Sequence, residues 1–271
     1  MSHRTAILLL VAFACSLILP GARSEAFPYG SADALEGRIL VISVYADGPG
    51  SVWDLDNARD RDHIAATQRY LRMAAGYLED IAADYGSQAE FVIAPLHVAE
   101  LPDPAAEDDE AVWAWIDRAM NVADLLDRYA ADGCVSIVFL NLDDEADELT
   151  CTRSWYPDMP APYEIVYMPY MGAGIVSSPA VYAHELLHTF GAPDLYMEDE
   201  ALGIGADFLE YVRTRLDNDI MYTCSDPASG EYRYDAVTNE VGEVTAWYVG
   251  LIDESPLARR FSLGESEHGA D

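Results

Sequence analysis

The stretch Arg38-Ile-Leu-Val-Ile-Ser-Val-Tyr45 is apolar, rich in β-branched residues and bounded by Gly37 and Gly48. A short apolar, β-branched run bounded in this way reads as a buried strand. Downstream, Ile64, Thr67, Leu71, Ala74, Leu78, Ile81 and Tyr85 recur at spacings of three and four, and Gly86 follows. That pattern predicts an amphipathic helix over 58–85 with a glycine stop. Phe91–Leu96 reads as a second strand, and Cys134–Leu142 as a third. Between them Val112, Trp115, Ala119, Val122, Leu126 and Tyr129 mark one face of a helix near 107–131. Strand, helix, strand, helix, strand is the order of an α/β sheet with largely parallel strands.

The order then changes. Residues 151–156 and 163–168 are two short β runs around a proline-rich turn, suited to an antiparallel edge pair. Residues 178–190 read as a helix capped by Ser177 or Ser178, with Pro179 in its first turn and Gly191 at its end. Shorter helices are predicted at 206–216 and 238–252. The expected fold is therefore α/β, a mixed and mostly parallel sheet with an antiparallel edge strand. No internal repeat or low-complexity tract interrupts it.

The chain has 271 residues, of which 51% are hydrophobic, enough to build a core. Arg4 followed by the apolar run Ala6–Leu19, the break at Pro20-Gly21 and the small residues of Ala22-Arg23-Ser24 have the form of a secretory signal peptide over 1–24. The apolar run falls short of the ~20 residues of a membrane span. The expected division is a signal peptide at 1–24, a leader at 25–36, a single domain at 37–262 and an acidic mobile tail at 263–271. The expected product is a secreted or extracytoplasmic protein without membrane insertion.

Acidic residues number 48 against 15 basic ones, for a formal net charge of −33. All the basic residues are arginine. Such a surface repels nucleic acid and anionic membranes, and suits a saline medium or a cationic substrate. Loss of Cys15 with the signal peptide leaves Cys134, Cys151 and Cys224. Cys134 opens an apolar run and is expected as a buried thiol. Cys151 and Cys224, in polar surroundings, are the candidate disulfide.

The helix at 178–190 carries His184-Glu-Leu-Leu-His188. Two histidines four apart lie on one helical face, so both imidazoles can reach one ion. Glu185, beside the first of them, is placed to work on water rather than on the ion. Gly191 lets the chain turn sharply, and Asp194 three residues later can return as a third ligand. Glu198, Asp199, Glu200, Asp207 and Glu210 are alternative carboxylates for that place. The acidic stretches Asp54–Asp62 and Asn141–Glu148 offer oxygen ligands for calcium, without the glycine and spacing of an EF-hand. His63 and His97 read as surface residues, and Trp113 and Trp115 as packing residues.

Ala183-His-Glu-Leu-Leu-His-Thr-Phe-Gly-Ala-Pro-Asp-Leu-Tyr196 resembles the metzincin clan of zinc peptidases, in particular the branch around the bacterial immune inhibitor A proteases. Asp219-Ile-Met-Tyr-Thr223 is similar to the methionine turn of that clan, with Met221 as its methionine, and Thr245–Ile252 to its C-terminal helix. The resemblance covers about 178–252. It implies a catalytic Zn2+ on His184, His188 and Asp194, Glu185 as general base, Gly191 and Met221 as supports, and hydrolysis of peptide bonds within a peptide or protein substrate. A tyrosine often placed two residues after the methionine is one residue after it here, as Tyr222. A zinc exopeptidase, a zinc amidase or a zinc-binding relative without turnover are the alternative readings.

Overall fold

The computed structural model describes residues 34–48, 51–95, 97–100, 114–115, 119–141, 152–154, 163–170 and 176–264. The expected signal peptide, Cys151, Trp113 and most of the Asn141–Glu148 stretch lie outside them.

The predicted central strand is β1, Gly37–Asp47. It pairs in parallel with β4, Gly133–Asn141, in a register that sets Ile39 against Gly133 and Tyr45 against Phe139. Its other edge is shared. The first half of β1 takes β2, Ala89–Ile93, and the second half takes β3, His97–Glu100, both parallel. A single second strand over 91–96 was expected; the observed one ends at Ile93. Ala94 donates its N–H to the Val41 carbonyl, and Pro95 has no N–H with which to continue the ladder. Beyond β4, parallel pairing continues to β6, Tyr163–Tyr170. The short β5, Thr152–Ser154, closes that edge as the expected antiparallel pair. The six-stranded sheet is thus mixed and mostly parallel.

Helices cover both faces, so β1 and β4 are apolar on both sides. Ile39, Val41, Tyr45, Val135, Ile137 and Phe139 point into the larger core, which includes α1, Ala58–Asp84. Leu40, Ile42, Val44, Cys134, Val138 and Leu140 point into a smaller core with α2, Val122–Tyr129. Residues 114–115 and 119–120 are also helical, but the single helix expected over 107–131 is broken at Asn121. Its φ of 51° is left-handed, and an α-helical ladder does not run through such a residue.

The remaining helices form a layer against the larger core. They are α3, Pro179–Thr189; α4, Ala206–Arg215; α5, Glu243–Tyr248; and α6, Pro256–Phe261. Ser178 holds the N-cap position of α3, but its side chain makes no cap bond. The helix predicted over 238–252 is shorter because 238–242 is extended, with Glu240 bridging to Asp219. The α6 helix was not anticipated, although Ser255-Pro256 carries its start signal: Ser255 Oγ accepts from Ala258 N. Two boundaries move outward. Leu35, in the expected leader, is fully buried and donates its N–H to Val249 O. Leu263, in the expected mobile tail, is 4% exposed, and Gly264 N bonds to Leu202 O. Among the described residues no helix is long and apolar enough to cross a membrane.

Candidate metal centre

Helix α3 packs against α1 and is buried over most of its surface. His184 and Glu185 are each 6% exposed, an expensive placement for polar groups unless they are partnered. Both imidazoles are oriented by backbone. His184 Nδ1 donates to the Ile220 carbonyl at 2.9 Å, and His188 Nδ1 to the Ala192 carbonyl at 2.7 Å. Holding the N–H on Nδ1 leaves each Nε2 as the ligand nitrogen. The rings stand edge to face with centroids 4.7 Å apart.

Gly191 ends α3 with φ 97°, a conformation closed to most side chains. The chain reverses there and carries Asp194 back over the two rings. Asp194 Oδ1 lies 3.2 Å from His184 Nε2 and 3.4 Å from His188 Nε2. One ligand atom from each of the three residues lies within 4.8 Å of the other two. Asp194 Oδ1 is buried without a hydrogen-bond partner and faces the two imidazole nitrogens. Two imidazole nitrogens and one carboxylate oxygen converging on a common point are a donor set that fits a metal ion, and zinc takes such ligands. Among the described residues this is the one such group.

The competing carboxylates are not part of the converging group among the described residues. Asp199 caps the short 3-10 turn Glu200–Leu202 by accepting from Ala201 N and Leu202 N. Asp207 lies in the first turn of α4, and Glu210 pairs with Arg213. In the proposed calcium stretch, Asp60 accepts from Asp54 N, Asp54 from Asp56 N, and Asn57 caps α1 through Arg59 N. Those oxygens serve backbone donors rather than converging on a cation. His97 falls in β3, and half-buried His63 on α1.

The turn containing Met221, which is fully buried, follows the Ile220 carbonyl that holds His184 Nδ1. Met221 O accepts from Leu195 N, so this turn holds both Asp194's loop and, through Ile220 O, the ring of His184. Asp219 organises the turn. Its carboxylate accepts from Met221 N at 2.8 Å, Gly242 N at 3.0 Å and the Thr245 hydroxyl at 2.8 Å. Burial pushes its pKa up to about 6, against the opposing effect of these donors. A Cβ on Gly242 would stand 2.6 Å from Asp219 Oδ2, so the close approach requires glycine.

Two site residues escaped the sequence reading. The Tyr196 ring stacks on His184 with centroids 6.4 Å apart. Burial and the Asp194 carboxylate hold that phenol above its ordinary pKa. Cys224 was expected in a disulfide with Cys151. It is instead a free, half-buried thiol. The buried Asn239 amide donates to the carbonyls of Thr223 and Ser225, fixing the backbone on either side of the thiol.

In the metal-free protein the centre is an ion pair. Burial alone would raise Asp194, but the two imidazoles hold it well below the usual carboxylate range. Burial would lower His184, but Asp194, Cys224 and Glu185 together hold it above the usual imidazole range. The excess of negative groups favours a bound cation.

No protein-family model matches the chain, and no curated protein matches it significantly. A solved structure described as "Structure of a chaperone-substrate complex" aligns with 80% of this chain at 14% identity and a TM-score of 0.40. The chain spans 38% of that protein's length. A likeness at this level carries no argument about fold or function.

Proposed function

We propose that this chain is a secreted zinc-dependent endopeptidase of the metzincin type, resembling the immune inhibitor A branch. The observation that carries the reading is the convergence of His184, His188 and Asp194, with Glu185 next to the first ligand on the same buried helix. The Met221 turn, bonded to His184 through Ile220 O, and the short helix α5, bonded to that turn through Thr245 and Asp219, support the same reading.

Zinc held by the triad would polarise the scissile carbonyl and lower the pKa of the attacking water. The protein's own groups do the rest. Glu185 takes the proton of that water and passes it to the leaving nitrogen. The Nδ1 bonds to Ile220 O and Ala192 O keep both imidazoles aimed, so no reorientation accompanies turnover. Tyr196, 54% exposed at the mouth of the site, keeps its proton in neutral solution and offers an O–H to the oxygen on which charge grows. Negative charge elsewhere on the surface favours cationic stretches of substrate.

The test is a peptide library digested by the purified, zinc-loaded protein, with fragment ends read by mass spectrometry. Internal cuts support an endopeptidase. Cuts confined to termini or to side-chain amides would replace this reading with that of an exopeptidase or amidase.

A further inference from the structure

The two imidazoles of the centre are aimed by different parts of the chain. His188 Nδ1 donates to the Ala192 carbonyl, four residues further on. His184 Nδ1 donates at 2.9 Å to the Ile220 carbonyl, 36 residues away. That carbonyl belongs to the peptide group joining Ile220 to Met221. The N–H of the same group is the one that Asp219 Oδ1 accepts at 2.8 Å. A single planar unit therefore stands between a buried carboxylate and a ligand ring. Asp219 is 2% exposed. Its Oδ2 accepts from Gly242 N at 3.0 Å, and the Thr245 hydroxyl lies 2.8 Å from Oδ1 and 2.9 Å from Oδ2. These donors are all neutral, so they hold the carboxylate without cancelling its charge. The segment around Gly242 is fixed in turn. Tyr77 and Tyr85 of α1 donate their hydroxyls to Asn239 O and Val241 O, and Ile220 N donates to Glu240 O.

We infer that Asp219 is a positioning residue for the metal centre, acting on His184 through the one peptide group between Ile220 and Met221. This rests on reading His184, His188 and Asp194 as metal ligands. A carboxylate or a carbonyl on the far nitrogen of a ligand histidine fixes its tautomer and raises the basicity of the ligating nitrogen. Here the two devices stand in series. A carboxylate accepting from the N–H pushes electron density through the amide onto its oxygen. The Ile220 carbonyl becomes a stronger acceptor, the Nδ1–H bond is more polarised, and Nε2 becomes a stronger donor to a cation. His188 has no counterpart. Its acceptor, Ala192 O, belongs to the peptide group joining Ala192 to Pro193, which has no N–H to give to a carboxylate. The two ligand histidines are thus unequal, and only His184 answers to a distant charge.

The test compares the zinc-loaded protein with two variants. Asp219→Asn keeps the shape of the side chain and removes its charge. Thr245→Val removes a competing donor and leaves the charge. The readout is the proton resonance of each ligand Nδ1–H in isotope-labelled protein, with zinc affinity measured in parallel by chelator competition. The His184 resonance is expected to move upfield in Asp219→Asn and downfield in Thr245→Val, while the His188 resonance holds in both. Zinc affinity is expected to fall at least about tenfold in Asp219→Asn. A purely architectural tie between the turn and α5 gives a different pattern, because both substitutions loosen it: the His184 resonance moves upfield in each variant or in neither. That pattern would overturn the inference while leaving the metal centre standing. If Asp219→Asn does not fold, the direction of the shift in Thr245→Val decides alone. Failure of the unsubstituted protein to bind zinc would overturn the centre itself.

Discussion

Asp194 Oδ1 stands 3.2 Å from His184 Nε2, although the two residues project from opposite sides of a chain reversal at Gly191. This contact links the helix to the loop after it, and the consequences below depend on it.

Gly191→Ala forces a side chain into a left-handed φ of 97°. The expected cost is about 1–2 kcal/mol of folding stability, measured by denaturant unfolding. Zinc affinity should fall with it, because Ala192 O, which orients His188, lies in the same turn. Unchanged stability and affinity would show that the reversal tolerates a Cβ.

Metal uptake should release protons. The metal-free His184 is held protonated by Asp194 and its neighbours, and it must lose that proton to ligate. Zinc titrations near pH 7 in two buffers of different ionisation enthalpy should report about one proton released per ion. Uptake without proton release would contradict the ion pair.

Asp219 predicts a pH dependence of unusual sign. Its folded pKa of about 6 lies above the ordinary 3.8, so between these values the folded state binds a proton that the unfolded state does not. Stability from this group is therefore present at acid pH and is lost as pH rises through about 6. The difference amounts to at most about 3 kcal/mol. In metal-free protein, comparison of wild type with Asp219→Asn from pH 4 to 7 should show wild type losing stability relative to the variant. A constant difference would mean that the carboxylate ionises normally.

Tyr196→Phe keeps the ring on His184 and removes the O–H. If that donor serves the growing oxyanion, kcat falls about a hundredfold while KM and zinc content hold. Loss of zinc instead would assign the tyrosine to supporting Asp194.

Much of this architecture was legible because its signals are local. The apolar runs at 38–45 and 134–142 required burial on two faces, and the spacing of His184, Glu185, His188, Gly191 and Asp194 encodes one helix and one turn. The breaks depended on single residues acting against a longer pattern. Pro95 split a strand, and left-handed Asn121 split a helix whose apolar periodicity runs through it. Residues 238–242 read as helical by pattern but serve as an extended partner for Asp219, a contact that spans 23 residues at Gly242. Cys224 misled for the same reason. Its polar sequence neighbours suggested the surface, whereas its position is set by Asn239, distant in sequence but adjacent in space. Tyr196 lies within the quoted motif stretch, but its stacking on His184 depends on the reversal at Gly191.

The central claim is that Glu185 acts on water at a metal held by its neighbours. Its most direct test is digestion of casein by the purified protein and by Glu185→Ala, each assayed for bound zinc and each repeated with chelator. The account predicts internal cleavage by the zinc-loaded wild type, none after chelation, and none by a Glu185→Ala protein that still binds one zinc per chain. Full cleavage by Glu185→Ala, or cleavage by wild type stripped of metal, would contradict it.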